Sequence, residues 1–333
     1  MTFAANSTIV LDVNRNASTN ALNIGTDNFI EVLSHPSVMG MMNGYTSGGC
    51  VPPGATPTNI IDRFPFATNS NATTVGTLVQ GRYTSAAQSS TISGYNSGGG
   101  SPTNSNCIDK FPFAAICANA TGVGALSQTR RNAGGQSSTT SGYTSGGFCS
   151  PGNSAVVDRF PFAADTSATS VGNLGTAKRN MASQSSYISG YTSGGYSPFI
   201  NTIEKFPFAT DSITASNVGT LSQSRYFGAG QSSTSHGYTT GGDAQSPPGT
   251  STCIDKFLFS SDSSATSVGN ITIARIQGAG QSSYICGYIS GGYNPSPPVY
   301  VSCIEKFPFA IDSNSTGVGT LACGRITPAG QQN

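Results

Sequence analysis

An all-β fold, a β-propeller of four-stranded blades, is the architecture this sequence predicts, and three observations predict it. The first is a repeat. Segments of the form "IDKFPF" recur with leading phenylalanines at Phe64, Phe111, Phe160, Phe206, Phe257 and Phe307, spaced 46 to 51 residues apart. Six "GY" segments alternate with them, at Tyr45, Tyr95, Tyr143, Tyr191, Tyr238 and Tyr288, and a period of this size belongs to solenoids and propellers. The second is the absence of sustained apolar spacing near 3.6 residues in a chain dominated by glycine and β-branched residues, which argues against helical repeats. The third is punctuation. Short Ser/Thr/Tyr and Ile/Phe runs bounded by Gly, Pro and Asn read as strands and turns, enough for one four-stranded antiparallel unit per period.

Composition bounds the class. The chain has 333 residues with 42 Gly and 18 Pro, and charged residues make up only 9% of it, against roughly 25% in ordinary domains. Regularly spaced aromatics, 17 Phe and 13 Tyr, argue for a folded core rather than a disordered low-charge chain. A net charge of +1 gives no electrostatic reason to expect nucleic acid or an anionic membrane as partner. No apolar run reaches the length of a bilayer span, and no basic amino-terminal stretch leads into an apolar run of the signal-peptide kind. The eight cysteines read as free thiols, with Cys50 or Cys149 the main candidates for a bridge. Cys107, Cys253 and Cys303 hold one repeat slot, read as small and apolar. No CxxC pair or His/Cys cluster points to zinc, and no cofactor is expected.

Each part of the repeat has a physical reading. The Gly pairs, such as Gly48–Gly49 and Gly241–Gly242, follow a strand and allow positive φ or close backbone approach; a phosphate-cradling loop is disfavoured because no lysine or helix start follows. The "QSS" runs supply small hydroxyl side chains to crowded strands, able to satisfy one another across them. Acids at Asp62, Asp109, Asp158, Glu204, Asp255 and Glu305 each precede a base. A further base follows each "VGxL" element, at Arg82, Arg130, Lys178, Arg225, Arg275 and Arg325. Adjacent strand residues face opposite ways, so each acid is expected to turn inward and pair with a repeat base rather than with its neighbour. In "FPF" the proline cannot donate to a ladder and marks a strand end or bulge, and the phenylalanines pack between sheets. Leu258 replaces that proline once. Asp165, Asp211, Asp262 and Asp312 lie in turn sequence and read as turn caps, with calcium as the weaker alternative; Asn69 and Ile116 fill the slot elsewhere.

The order "R…AGQSS…GYxSGG…IDKF…VGxL…R" resembles the kelch repeat, although this chain has no tryptophan where that repeat ends in one. The wording of the repeats also resembles structural or appendage proteins of marine, especially cyanobacterial, bacteriophages, across nearly the whole chain. The resemblance implies a virion structural or appendage protein, a repeat scaffold located on the particle that contacts other virion proteins. Host-surface glycan binding is the alternative, and a glycan-degrading enzyme a distant third. Residues 38–333 hold six repeats, and residues 1–37 form an extension or a degenerate half repeat. Asp12 stands at the repeat offset from Gly44, which keeps seven blades open beside six.

Specificity is expected in the segments between the Gly pair and the following Ile or Val, which vary most in length. Pro52, Pro53, Pro247, Pro248, Pro297 and Pro298 stiffen three of them, and Tyr293 and Tyr300 supply aromatic surface. Catalysis is not expected. His35 and His236 are the only histidines, no nucleophile elbow is present, and the repeated acids belong to the scaffold rather than to a hydrolytic pair.

Overall fold

A computed structural model describes residues 42–114 and 119–333. The segment 1–37, with Asp12 and His35, lies outside these residues, as do Ile116 and Cys117. The described chain is all-β: its elements are strands joined by turns.

Six larger sheets carry the repeat. In the second, Ala86–Ser89, Ser93–Ser97, Cys107–Pro112 and Thr121–Ala125 pair antiparallel in that order. The same plan recurs from Gly134–Ser137, Ala182–Ser185, Ala229–Ser232 and Ala279–Ser282. The third sheet gains a fifth strand, Ile213–Thr214, which pairs parallel to Thr169–Asn173. In the first sheet, Asn43–Ser47, Ile60–Pro65 and Thr73–Thr77 are completed by Ala329–Gln332 from the far end of the chain. A register shift breaks every third-to-fourth strand pairing just before the acid, as between Val157 and Asp158. Four of the variable segments fold into small hairpins, such as Cys50–Val51 with Thr56–Pro57 and Tyr293–Pro295 with Pro298–Tyr300, and the other two make single bridges, Gly100 to Asn104 and Tyr196 to Phe199.

This topology corrects the kelch-like β-propeller expected from the period. The strands resolve into ten separate sheets of two to five strands, and no sheet closes into a barrel or a propeller-like ring. The physical reason lies at the sheet edges. Ladder pairing stops at the first strand and, in five of the six larger sheets, at the fourth, and neighbouring sheets meet instead through side chains and single bonds, such as the Ser89 amide to Ser137 Oγ. A sequence period reports the content of one repeat and not the placement of repeats relative to one another.

Three kinds of contact join the sheets. Aromatic clusters are the first. Tyr143 stacks on Phe208 at 4.7 Å between ring centroids and leans on Phe206 at 5.9 Å, and its hydroxyl donates to the Phe208 carbonyl at 3.1 Å. The same trio forms from Tyr45 with Phe111 and Phe113, and from Tyr288 with Phe64 and Phe66. Aromatic pairs add about 0.5–1.5 kcal/mol each beyond their burial. The "GY" glycine follows from this packing: a Cβ on Gly142 would collide with the Phe160 ring on the facing strand.

Amide and hydroxyl bonds are the second, and they account for the bland "QSS…GYTSGG" wording. Buried Gln88 donates to Ser97 Oγ at 2.9 Å in its own sheet, and across to the Tyr143 carbonyl at 2.8 Å in the next. Gln136, Gln184, Gln231, Gln281 and Gln331 likewise reach a tyrosine carbonyl in the following sheet. Along the first strands, the Ser89 amide donates to Ser137 Oγ, Ser137 to Ser185, Ser185 to Ser232 and Ser232 to Ser282. Gln332 finishes the series by accepting from Ser282 and donating to Ser89.

The third is ionic. Asp109 pairs with Arg82, Asp158 with Arg130, Glu204 with Lys178, Asp255 with Arg225, Glu305 with Arg275 and Asp62 with Arg325. All twelve side chains are buried. A charge taken out of water needs compensation, and the node around Asp158 supplies most of it, with Arg130 Nε left unbonded. Asp158 accepts from the Ser127 amide at 2.9 Å and the Ser127 hydroxyl at 2.7 Å. Arg130 also donates to the carbonyls of Gly146, Val156 and Thr144. The Lys178 node is poorer. Its ammonium lies 3.5 Å from Glu204 with no hydrogen-bond partner, and burial lowers its pKa to about 8.

The outward bases find the second acid slot, a contact that reading those aspartates as turn caps overlooked. Lys110, Arg159, Lys205 and Lys256 pair with Asp165, Asp211, Asp262 and Asp312 of the next repeat, and Lys306 donates to Asn69. These pairs are exposed, so each contributes about 1 kcal/mol or less.

Candidate functional site

The turn between each repeat base and the next first strand builds the floor of the site. Thr84, Asn132, Asn180, Phe227, Gln277 and Thr327 occupy equivalent positions and all have positive φ, between 52° and 60°. For side chains other than Asn this conformation is uncommon and mildly strained. Their backbones explain its persistence. The Asn132 amide donates to the Thr84 carbonyl at 2.9 Å, Asn180 to Asn132 at 2.9 Å, and Phe227 to Asn180 at 2.7 Å. Gln277 donates to Phe227 at 3.0 Å, Thr327 to Gln277 at 3.0 Å, and Thr84 to Thr327 at 3.1 Å. The six bonds form an unbroken cycle, a collar in which each repeat holds the next.

On one side of the collar lies a cavity of about 160 Å³ walled by the six first strands. Its walls are crowded: a Cβ on Gly135 or Gly230 would collide with the carbonyl of Ala87 or Ser183. On the other side a wider cavity of about 630 Å³ opens among the variable hairpins. The collar residues line it, together with Tyr83, Arg131, Phe148, Arg179 and the loop residues Ala55, Pro57 and Pro102. Arg131 and Arg179 lie over the Phe148 ring, 5.4 and 5.0 Å from its centroid, and Arg179 also over Tyr196 at 5.0 Å. Arg131 Nη1 donates to the Tyr83 hydroxyl at 3.4 Å.

The loop residues expected to recognise a partner divide around this opening. Pro52 and Pro53 sit in the exposed turn of the Cys50–Pro57 hairpin. Pro247 and Pro248 border a separate cavity of about 320 Å³. Tyr293 and Tyr300 face each other across their hairpin with rings 5.9 Å apart, and Pro297 and Pro298 lie at and after its turn. None of these eight lines the wide cavity. The arginines and the collar were missed. The available signal was a second base after the repeat base, "RRN" at 130–132 and "KRN" at 178–180, where other repeats have Tyr or Ile.

His236 Nδ1 lies 2.8 Å from Ser235 Oγ, and burial, with Lys256 nearby, lowers its pKa. Cys50, Cys107, Cys149, Cys253, Cys286, Cys303 and Cys323 are free thiols. The shared cysteine slot is not a uniform apolar one: Cys107 is exposed and Cys253 buried, with Cys253 Sγ 3.4 Å from Asp255 Oδ1. Among the described residues no group of three His, Cys, Asp or Glu side chains is placed to hold a metal ion, and no helix is long and apolar enough to cross a membrane.

The comparisons lend no support to the resemblance to kelch repeats or to bacteriophage appendage proteins. No protein-family model matches the chain, and no curated protein matches it.

Proposed function

We propose that this chain is a structural scaffold of an extracellular particle, a virion appendage protein whose repeats carry contacts with other proteins of the particle. The observation that supports this reading is how fully the repeats are committed to one another. The buried acids, bases, glutamines and first-strand serines of each repeat bond to the next, which yields a rigid body and leaves length variation to the hairpins on one side. Rigid frames with variable loops are suited to holding partners in fixed geometry. Quantitative mass spectrometry of density-purified particles tests the proposal. The chain is expected at a constant number of copies per particle through successive gradients. Its loss from particles during purification, with recovery only in the soluble fraction, contradicts a structural role.

A further inference from the structure

We propose that the wide cavity on the hairpin side binds an acidic saccharide, with Arg131 and Arg179 holding its carboxylate or sulfate group. This role goes beyond that of scaffold and does not depend on where the protein is mounted.

Charge is the first argument. Among the described residues, the repeat acids and the four outer aspartates are all in ion pairs, and Asp243 sits against Tyr226. The bases outside ion pairs are Arg63, beside the Tyr45 hydroxyl, Lys306, bonded to Asn69, and Arg131 with Arg179. Both of the last two border the wide cavity, whose lining contains no carboxylate. Two like charges flanking one ring repel each other, and a bound anion relieves that repulsion. A concave wall of one sign also concentrates anions near it.

Geometry is the second. Both guanidinium groups lie over the same ring, that of Phe148, at 5.4 and 5.0 Å, which brings two N–H forks, each fitted to carboxylate or sulfate, to one wall of the cavity. Arg131 spends one such group on Tyr83; Arg179 donates no side-chain hydrogen bond among the described residues.

The remaining lining selects the rest of the ligand. Asn132, Asn180 and Gln277 bring amides, and Thr84 and Thr327 bring hydroxyls, while their backbone N–H groups are consumed by the collar. Asn180 Oδ1 is buried with no hydrogen-bond partner, an acceptor that a ligand hydroxyl satisfies. Tyr83 and Phe227 add aromatic rings to the lining, the apolar component that the C–H face of a sugar ring requires. Charge, closely spaced hydroxyls and an apolar ring face occur together in a uronate or sulfated sugar, whereas a bare inorganic anion would use only the arginines. The volume, about 630 Å³, falls within the roughly 300–1,000 Å³ of small-molecule sites.

Isothermal titration calorimetry of the full chain tests the proposal. The titrants are trigalacturonate, a sulfated galactan trisaccharide, a neutral galactose trisaccharide, sodium sulfate and ATP. Saturable binding of one or both acidic trisaccharides is expected, and the preferred one identifies the group that the arginines hold. Arg131→Ala and Arg179→Ala should each weaken binding roughly tenfold or more with Tm unchanged, while Arg63→Ala binds as the wild type does. No binding of either acidic trisaccharide overturns the proposal. So does equal affinity for the neutral one, sulfate or ATP bound as tightly as the acidic sugars, or unchanged affinity in the two cavity variants.

Discussion

Arg130 and Arg131 are adjacent in the chain, as are Lys178 and Arg179, and each pair divides between two regions of the molecule. Arg130 and Lys178 are buried in ionic nodes between sheets, facing Asp158 and Glu204. Arg131 and Arg179 lie half-buried over Phe148 and are in no ion pair among the described residues. The first region holds charges each set against a buried opposite charge; the second holds charges in no ion pair. Commitment of a charge, rather than its sequence neighbourhood, separates scaffold from site.

The largest expected effect comes from breaking a node. Arg225→Ala strands Asp255, which the arginine meets at 3.0 Å, and should lower stability by about 3–5 kcal/mol. Urea unfolding measures this, and a loss no larger than that of a hairpin substitution such as Pro248→Ala would show that the nodes do not hold the sheets. Next is Gly142→Ala, which drives a methyl group into the Phe160 ring. Overpacking of this kind costs about 1–3 kcal/mol, seen as a lower urea midpoint with unchanged slope, and a neutral result would mean that the aromatic trio tolerates rearrangement.

The smallest effect sharpens the contrast among the nodes themselves. Burial depresses the Lys178 pKa from 10.5 to about 8. Below about pH 8 both folded and unfolded chains carry the proton, and burying the charged amine reduces stability. Between about 8 and 10.5 the folded chain has released the proton while the unfolded chain keeps it, so this group makes stability rise with pH. Lys178→Arg removes that titration and supplies the fork that the arginine nodes use. The stability of wild type relative to Lys178→Arg should therefore increase from pH 8 to pH 10, the tyrosine and cysteine contributions being common to both. A constant difference across that window would mean that Lys178 stays charged.

Much of this was legible in the sequence. The all-β character, with four short antiparallel strands to a period, followed from the short polar and aromatic runs punctuated by Gly, Pro and Asn. The inward turn of Asp158 against the outward turn of Arg159 followed from the two-residue period of a strand. The relative placement of the sheets was not legible, because a period of about 50 residues carries no information about how neighbouring repeats meet, and the propeller inferred from it required correction. The collar was also hidden. Asn132 and Asn180 are residue types that tolerate positive φ, but Phe227, Gln277, Thr84 and Thr327 are not, and only their hydrogen-bonded neighbours explain the conformation. The doubled bases were visible as letters. Nothing in "RRN" says which arginine is buried and which faces the cavity.

Matched urea unfolding of Arg130→Ala and Arg131→Ala, in one buffer at neutral pH, tests that division most directly. Arg130→Ala should lose several kcal/mol, about 3–5, while Arg131→Ala stays within about 0.5 kcal/mol of the wild type. Equal losses from the two neighbours, or a larger loss from Arg131→Ala, would contradict it.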